Sequence, residues 1–414
     1  MEITDVQGYA LSSPIDPPQD RRFHGGTRRL LKRDVVLAVV ETARGYRGVA
    51  TAGASSSAMT EYFEGESQGT FADVLEGPVA EALEGETIDD ITDAHDLIRA
   101  GEVPPGDVTE AISAVDVALY DIRGKAEGVP VYELLAEEYG SDPTTELPLY
   151  ASAGMYMEPE GYVEQAEVIE ELGFFGYKYR PGIGADADRR TVELLADALT
   201  ECEVMLDVHT WWKLGESYGR DTVRDLVAHA GEQDAYWVEE PVEPDDHEGY
   251  VDLAATGTPL AGGESEETPE GLVELGETDA VDFLQGDVRH HEGFTGCRAA
   301  VEFCRGRDDI EFVPHNFGTW IGLAANAHLV AAAPESDLVE YPVFEADPVL
   351  DGEPDPGMYP FDLAFDLVEG EPAIEDGVLS VSDDPGLGIE VNLDVVEEYP
   401  FVEGPWTEFH YDDE

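Results

Sequence analysis

Seven apolar segments of this 414-residue chain run into ionisable side chains at their C-terminal ends. In order they deliver Lys178 and Arg180 from GYKYR, Asp207 and His209 from EVMLDVH, Glu239 from AYWVEEP, Glu264 from PLAGGE, Asp287 from FLQGDV, His315 from EFVPHN and Glu340 from LVEYP. Successive groups are 23 to 32 residues apart, which leaves room for one strand, one helix and two connections in each interval. Taken singly each has an ordinary reading: Asp207 as a helix cap, the glutamates as exposed loop acids, His315 as a hydrogen-bonded structural histidine. The joint pattern is what points to chemistry. Asp207, Glu239 and Glu264 form an oxygen-rich cluster that would repel itself without a cation, and oxygen donors without cysteine suit a hard ion, Mg²⁺ before Zn²⁺. A carboxylate at Asp287 bonded to one imidazole nitrogen of His315 would raise the basicity of the other and make a general base. Lys178 and Arg180 share a strand face, and a neighbouring cation lowers an amine's pKa, so Lys178 is expected to exchange protons near neutral pH.

The elements that position these groups are read from the alternation of short apolar strands with helical stretches. An eighth strand, LPLYASAG, precedes the seven, so residues 146–369 are expected to form a (β/α)7–8 TIM-type barrel with parallel strands whose C-terminal ends meet at one mouth. Residues 1–145 read as an α+β capping domain. It holds a hairpin in DVVLAVVETARGYRGVATA, turning around Arg44 and Gly45, and a helix through Ile112, Val115, Val117 and Leu119 that GVP breaks. The stretch from about residue 370 to 414 leaves the barrel pattern and is expected to pack back on the first domain.

Charge narrows the setting. With 22 basic against 93 acidic residues the formal net charge is −71, which repels phosphate backbones and anionic membranes. Disorder is excluded by 42% hydrophobic residues spread along the chain. The remaining reading is a folded protein with an acidic surface adapted to molar salt, where the screening length shrinks to about 3 Å. Thermal stability is therefore expected to fall as KCl is lowered from molar to millimolar; an unchanged melting curve would sink the halophilic reading. Cys202, Cys297 and Cys304 form no CxxC pair and read as core thiols of a reducing compartment. No basic-then-apolar leader and no run of 18 apolar residues is present, so a soluble cytoplasmic protein is expected.

The ordered set resembles the enolase superfamily, and within it the acid-sugar dehydratases of the mandelate racemase subgroup. ISAVDVALYDIRGKAEGVPVYELL is similar to the helical signature of that family's capping domain, KYR to its lysine motif, WVEEP and GGES to its second and third metal-ligand motifs, DVRHHEGFTG to the segment of the dyad aspartate, and VPHN to its histidine. The resemblance implies Mg²⁺ on Asp207, Glu239 and Glu264, and proton abstraction α to a carboxylate through an enediolate. It makes Asp287 and His315 the dyad, and Glu340 a holder of the substrate's carboxylate oxygen. His209 resembles the acid histidine of galactonate-type dehydratases, although TWWKLG follows where those enzymes carry a glycine and an arginine. RRFHGGTRR resembles a flexible capping loop, with His24 as a substrate-binding residue, and TAGASSSAM a second such loop.

The reaction implied by the resemblance is dehydration of an aldonate, first D-xylonate or L-arabinonate and second D-gluconate or D-galactonate, to the 2-keto-3-deoxy acid. The expected partners are a small-molecule sugar acid and further copies of the chain in a homo-oligomer, with no nucleic acid and no membrane. Three alternatives stay open. A racemase or epimerase would use Lys178 and His315 as its two bases. A cycloisomerase would typically need a sixth-strand lysine that GDVRHHE lacks, and a silent metal-binding scaffold would use none of these bases.

Overall fold

A β-hairpin of unusual length begins the chain. β1 (Ile3–Phe23) pairs antiparallel with β2 (Gly26–Thr42), and β2 continues through a turn to β3 (Arg47–Ala52), the hairpin read from the sequence. The computed structural model describes residues 1–52, 69–214, 217–333, 336–350, 352 and 354–412. The second capping loop, around residues 51–59, therefore lies from residue 53 outside the described residues. Pro14, Pro17 and Pro18 obscure β1 in the sequence, because proline cannot donate to a ladder. The fold accommodates them at a register shift between Pro14 and Gln19, after which pairing resumes to Phe23 opposite Gly26. His24 and Gly25 are thus the two residues of a tight turn.

Behind this sheet lies the helix Val108–Glu127, buried on nearly every face because it packs against β3 on one side and the barrel helix Gly293–Cys304 on the other. Gly48 explains how closely β3 can approach it: a Cβ there would lie 1.9 Å from the carbonyl oxygen of Ala118. Gly48→Ala is expected to destabilise by about 1–3 kcal/mol, the usual cost of overpacking. A thermal melt checks this, and an unchanged midpoint would mean the helix can retreat freely. Asp116 on the same helix ties the two domains, bonding His95 Nε2 at 2.9 Å within the cap and the Thr295 amide at 3.3 Å in the barrel.

The barrel comes next. β4 (Glu146–Met155), β5 (Gly176–Arg180), β6 (Glu203–Asp207), β7 (Trp237–Glu239), β8 (Leu260–Gly262), β9 (Phe283–Leu284) and β10 (Glu311–Phe312) pair in sequence order, all parallel. β11 (Val339–Pro342) returns to pair with β4. Between β10 and β11 no ladder forms among the described residues, and the Asn316 amide bridges the gap by donating to Glu340 Oε2 at 2.8 Å. Inward-facing Tyr150, Met205, Trp237, Ala261, Val313 and Leu338 form an apolar plug in the barrel. Polar side chains one layer further along the strands rest on it.

The C-terminal stretch, expected to return whole to the first domain, divides instead. β12 (Ala373–Glu375) and β13 (Val378–Ser380) extend the barrel sheet through β4, whereas β14 (Thr407–Tyr411) joins β2 of the cap. All three cysteines are buried and free, and no helix among the described residues is long and apolar enough to cross a membrane.

Candidate active site

Strand alternation decides which side chains meet. On β5, Tyr177 and Tyr179 point out into the helical layer while Lys178 and Arg180 point in, and the β5–β6–β7 register sets Asp207 beside Glu239. Glu264 lies past the end of β8, and Gly263, at φ +124°, supplies a turn that L-residues rarely adopt. Every polar residue read from the strand ends is found at the one mouth, but they lie at two depths.

A cavity of about 610 Å³ opens between cap and barrel. Arg180, His209, Glu264, His290 and His315 line it from the barrel, and Arg28, Arg33, Thr51 and Glu110 from the cap. Lys178, Asp207, Glu239, Asp287 and Glu340 are fully buried and are not among the lining residues. His24 does not line it either. At the hairpin tip its backbone N–H donates to Gly182 O at 2.7 Å and its ring leans on Tyr218, which pins the cap to the barrel rim.

The dyad is formed. His315 Nδ1 is 3.0 Å from Asp287 Oδ2, and Nε2 is 3.2 Å from Glu264 Oε2. Arg289 bonds both oxygens of Asp287, and Asn326 donates to Oδ1 at 3.1 Å. Burial disfavours the Asp287 charge, yet Arg289 and the His315 bond hold its carboxyl well below the usual range. Burial likewise disfavours a charged His315, but Glu264 and the bond to Asp287 outweigh it and raise the ring to about 9. A second histidine is held in the same way: His209 Nδ1 is 2.6 Å from Asp207 Oδ1.

Two expectations about the acids and the lysine need correction. Lys178 Nζ lies 2.7 Å from Glu239 and 2.8 Å from Glu340. Burial opposes its charge, but these carboxylates outweigh burial and raise its pKa; the lowering expected from Arg180 does not occur, because Arg180 Nε faces Asp207 at 2.9 Å. The acids also do not depend on a metal alone, since Lys178 and Arg180 already neutralise part of their charge. Both oxygens of Glu239 accept hydrogen bonds, Oε1 from Lys178 and Oε2 from Trp237 Nε1 at 3.1 Å and Gln285 Nε2 at 2.9 Å, which leaves a lone pair of Oε1 for a further partner.

Does the donor set still fit a hard cation? Asp207, Glu239, Glu240, Glu264, Asp287 and Glu340 crowd around Lys178, Arg180, Arg289 and His315, and burial, helped by the neighbouring acids, raises Glu239 and Glu240 to about 8, a crowding that a cation would relieve. Buried oxygens on three successive strand ends are unsatisfied as well. Asp207 Oδ2 and Glu264 Oε2 meet cationic groups without hydrogen-bond alignment, and Glu240 Oε2 has no hydrogen-bond partner among the described residues. The fit holds, with Glu240 as a further oxygen beside Glu264. Among the described residues the group close enough to share one ion is Asp287, His290 and His315, but Asp287 is already engaged by Arg289, Asn326 and His315.

Residues 161–395 match the family model for the enolase C-terminal domain-like fold, and residues 17–136 that for the mandelate racemase/muconate lactonizing enzyme N-terminal domain. The chain belongs to the enolase superfamily. Within it, the chain is 28% identical over 321 residues to a D-xylonate dehydratase of Haloferax volcanii, covering 72% of this chain and 71% of that one. It is 30% identical over 296 residues to a D-galactarolactone cycloisomerase of Agrobacterium fabrum, covering 70% and 73%. A crystal structure of an enolase superfamily member from Polaromonas superposes with a TM-score of 0.79 at 27% identity, covering 98% of this chain and 99% of that one.

Four residues of this enolase superfamily site were not found from the sequence. Glu240 and His290 adjoin recognised motifs as the second acid of EEP and the first histidine of RHH, so a reading of both neighbours could have found them. Gln285 sits two residues before Asp287 on the same inward face, a period-2 signal. Arg33, inside an apolar strand of the cap, carried no local signal.

Proposed function

We propose that the protein is a hydro-lyase that dehydrates a sugar acid, with an aldonate such as D-xylonate or L-arabinonate first and a hexonate second. One observation carries the reading: two histidines, each oriented by a buried carboxylate at 2.6–3.0 Å, line one cavity. β-Elimination of water needs a base for the α-proton and an acid for the departing hydroxyl, and His315 and His209 supply them. The D-xylonate dehydratase relative supports the reaction class.

Asp207, Glu239 and Glu264 would hold Mg²⁺, with Glu240 in reach of the same charge. When bound, the ion supplies positive charge against the carboxylate charge that develops as the α-proton leaves, and engages Glu264, whose pull otherwise keeps His315 protonated. Asp287, fixed by Arg289 and Asn326, orients the His315 ring so that Nε2 faces the cavity side. Arg180 contributes fixed positive charge at the floor, and Arg28, Arg33, Thr51 and Glu110 of the cap line the cavity from the other side. The racemase reading needs Lys178 as a second base, and Lys178 is sequestered beneath the floor between two carboxylates. The test is a panel of aldonic and aldaric acids assayed for 2-keto-3-deoxy product in molar KCl with Mg²⁺. Product from at least one aldonate is expected; none across the panel would sink the proposal.

A further inference from the structure

Buried cations in this acidic chain are paired. Lys32 bonds Asp34 at 2.8 Å, Lys178 lies between Glu239 and Glu340, Arg180 Nε is 2.9 Å from Asp207, and Arg289 is bonded to Asp287. Arg33, half-buried on β2 and lining the cavity, is not paired in this way. Among the described residues it has no carboxylate partner, and its buried Nε has no hydrogen-bond acceptor. Asp34, next in sequence, is already taken by Lys32, by Ser12 Oγ at 2.7 Å and by Trp406 Nε1 at 2.7 Å.

Four aromatic rings surround the Arg33 guanidinium instead. Its carbon lies 4.7 Å from the ring centre of Trp406, 5.6 Å from Phe317, 5.7 Å from Phe361 and 6.0 Å from Tyr359. Ring faces attract a cation, but they satisfy none of its in-plane N–H donors. Burial works most strongly against the charge; Tyr359 and Asp34 favour it and Arg28 and Arg180, which line the same cavity, oppose it, and the net effect lowers the pKa of Arg33. The cage therefore holds a planar donor fork in a fixed orientation, unneutralised, in a space where the nearby arginines add positive charge. A carboxylate is the group that answers such a fork bidentately.

We propose that Arg33 binds a carboxylate of the substrate from the capping side and so sets which end of the sugar acid faces His315. The inference rests on the sugar-acid reading. That carboxylate comes either from C1 of an aldonate or from the far end of an aldarate.

Calorimetric titration separates these possibilities without needing turnover. D-Xylonate, D-glucarate and the neutral polyol xylitol are titrated in molar KCl with Mg²⁺ into the wild type, Arg33→Met and Arg33→Lys, with folding checked by thermal melts. The wild type is expected to bind the acids at least about tenfold more tightly than xylitol. Arg33→Met should lose about tenfold or more for at least one of the acids and nothing for xylitol, with Arg33→Lys intermediate. If the far carboxylate is the ligand, glucarate binds more tightly than xylonate and the excess vanishes in Arg33→Met; if C1 is, both acids weaken together. Acid binding unchanged in folded Arg33→Met, or acids bound no better than xylitol by the wild type, would overturn the proposal. Should Arg33→Met not fold, Arg33→Lys decides, because unchanged acid binding there removes the bidentate fork. Acids that bind through Arg33 but are never dehydrated would sink the dehydratase reading and leave this one standing.

Discussion

His315→Asn is expected to lower turnover by about 10²–10⁴-fold and to abolish exchange of the substrate's α-proton with solvent deuterium. Asparagine keeps a polar group toward Asp287 but removes Nε2, the nitrogen that faces Glu264 at 3.2 Å and is free of the dyad bond. Exchange is the informative readout because it reports proton abstraction apart from loss of the hydroxyl. His209→Asn should therefore lose product but can retain exchange, if the intermediate regains its proton before the 3-hydroxyl departs. The competing assignment makes Lys178 the base on a substrate of opposite C2 configuration. Its amine, raised in pKa and closed in by Glu239 and Glu340, is poorly placed for that task. NMR of substrate in deuterium oxide decides: exchange intact in His315→Asn but missing in Lys178→Ala would overturn the assignment.

The barrel was legible in the sequence because seven of its eight strands are apolar runs with a chemically costly residue at one end. This held even where the ladder shrinks to two residues, as in β9 and β10. The cap was less legible. β1 runs through three prolines and a polar DPPQD segment, and only its pairing with β2 across a register shift makes it a strand. Residue types at the site could be read, but electrostatic partners could not. Lys178 and Arg180 are two apart in sequence, yet their charges are set by Glu239, Glu340 and Asp207, which the barrel's closure brings in from other strands. Arg33 was invisible for the same reason: its significance is the absence of a partner, and an absence is defined only by the folded surroundings.

Exhaustive chelation is expected to abolish turnover, with Mg²⁺ restoring it. The physical ground is the crowding of acids at the mouth, where burial raises Glu239 and Glu240 to about 8 and oxygens of Asp207, Glu240 and Glu264 are unsatisfied. An ion that binds only the folded chain also stabilises it, by about 2.7 kcal/mol at a hundredfold excess over its Kd, so the melting midpoint should rise with Mg²⁺ at constant KCl. Glu264→Gln should remove most of that rise. It deletes a charge from the cluster, and it also removes the carboxylate that keeps His315 protonated. The two readouts separate the metal's roles. A Mg²⁺-dependent midpoint with chelator-resistant turnover would make the ion structural, whereas full activity and an unchanged midpoint after chelation would leave the stabilisation of the departing proton's electrons to the protein's own cations, Arg180 and Arg289 among them. The metal-assisted mechanism would then be ruled out.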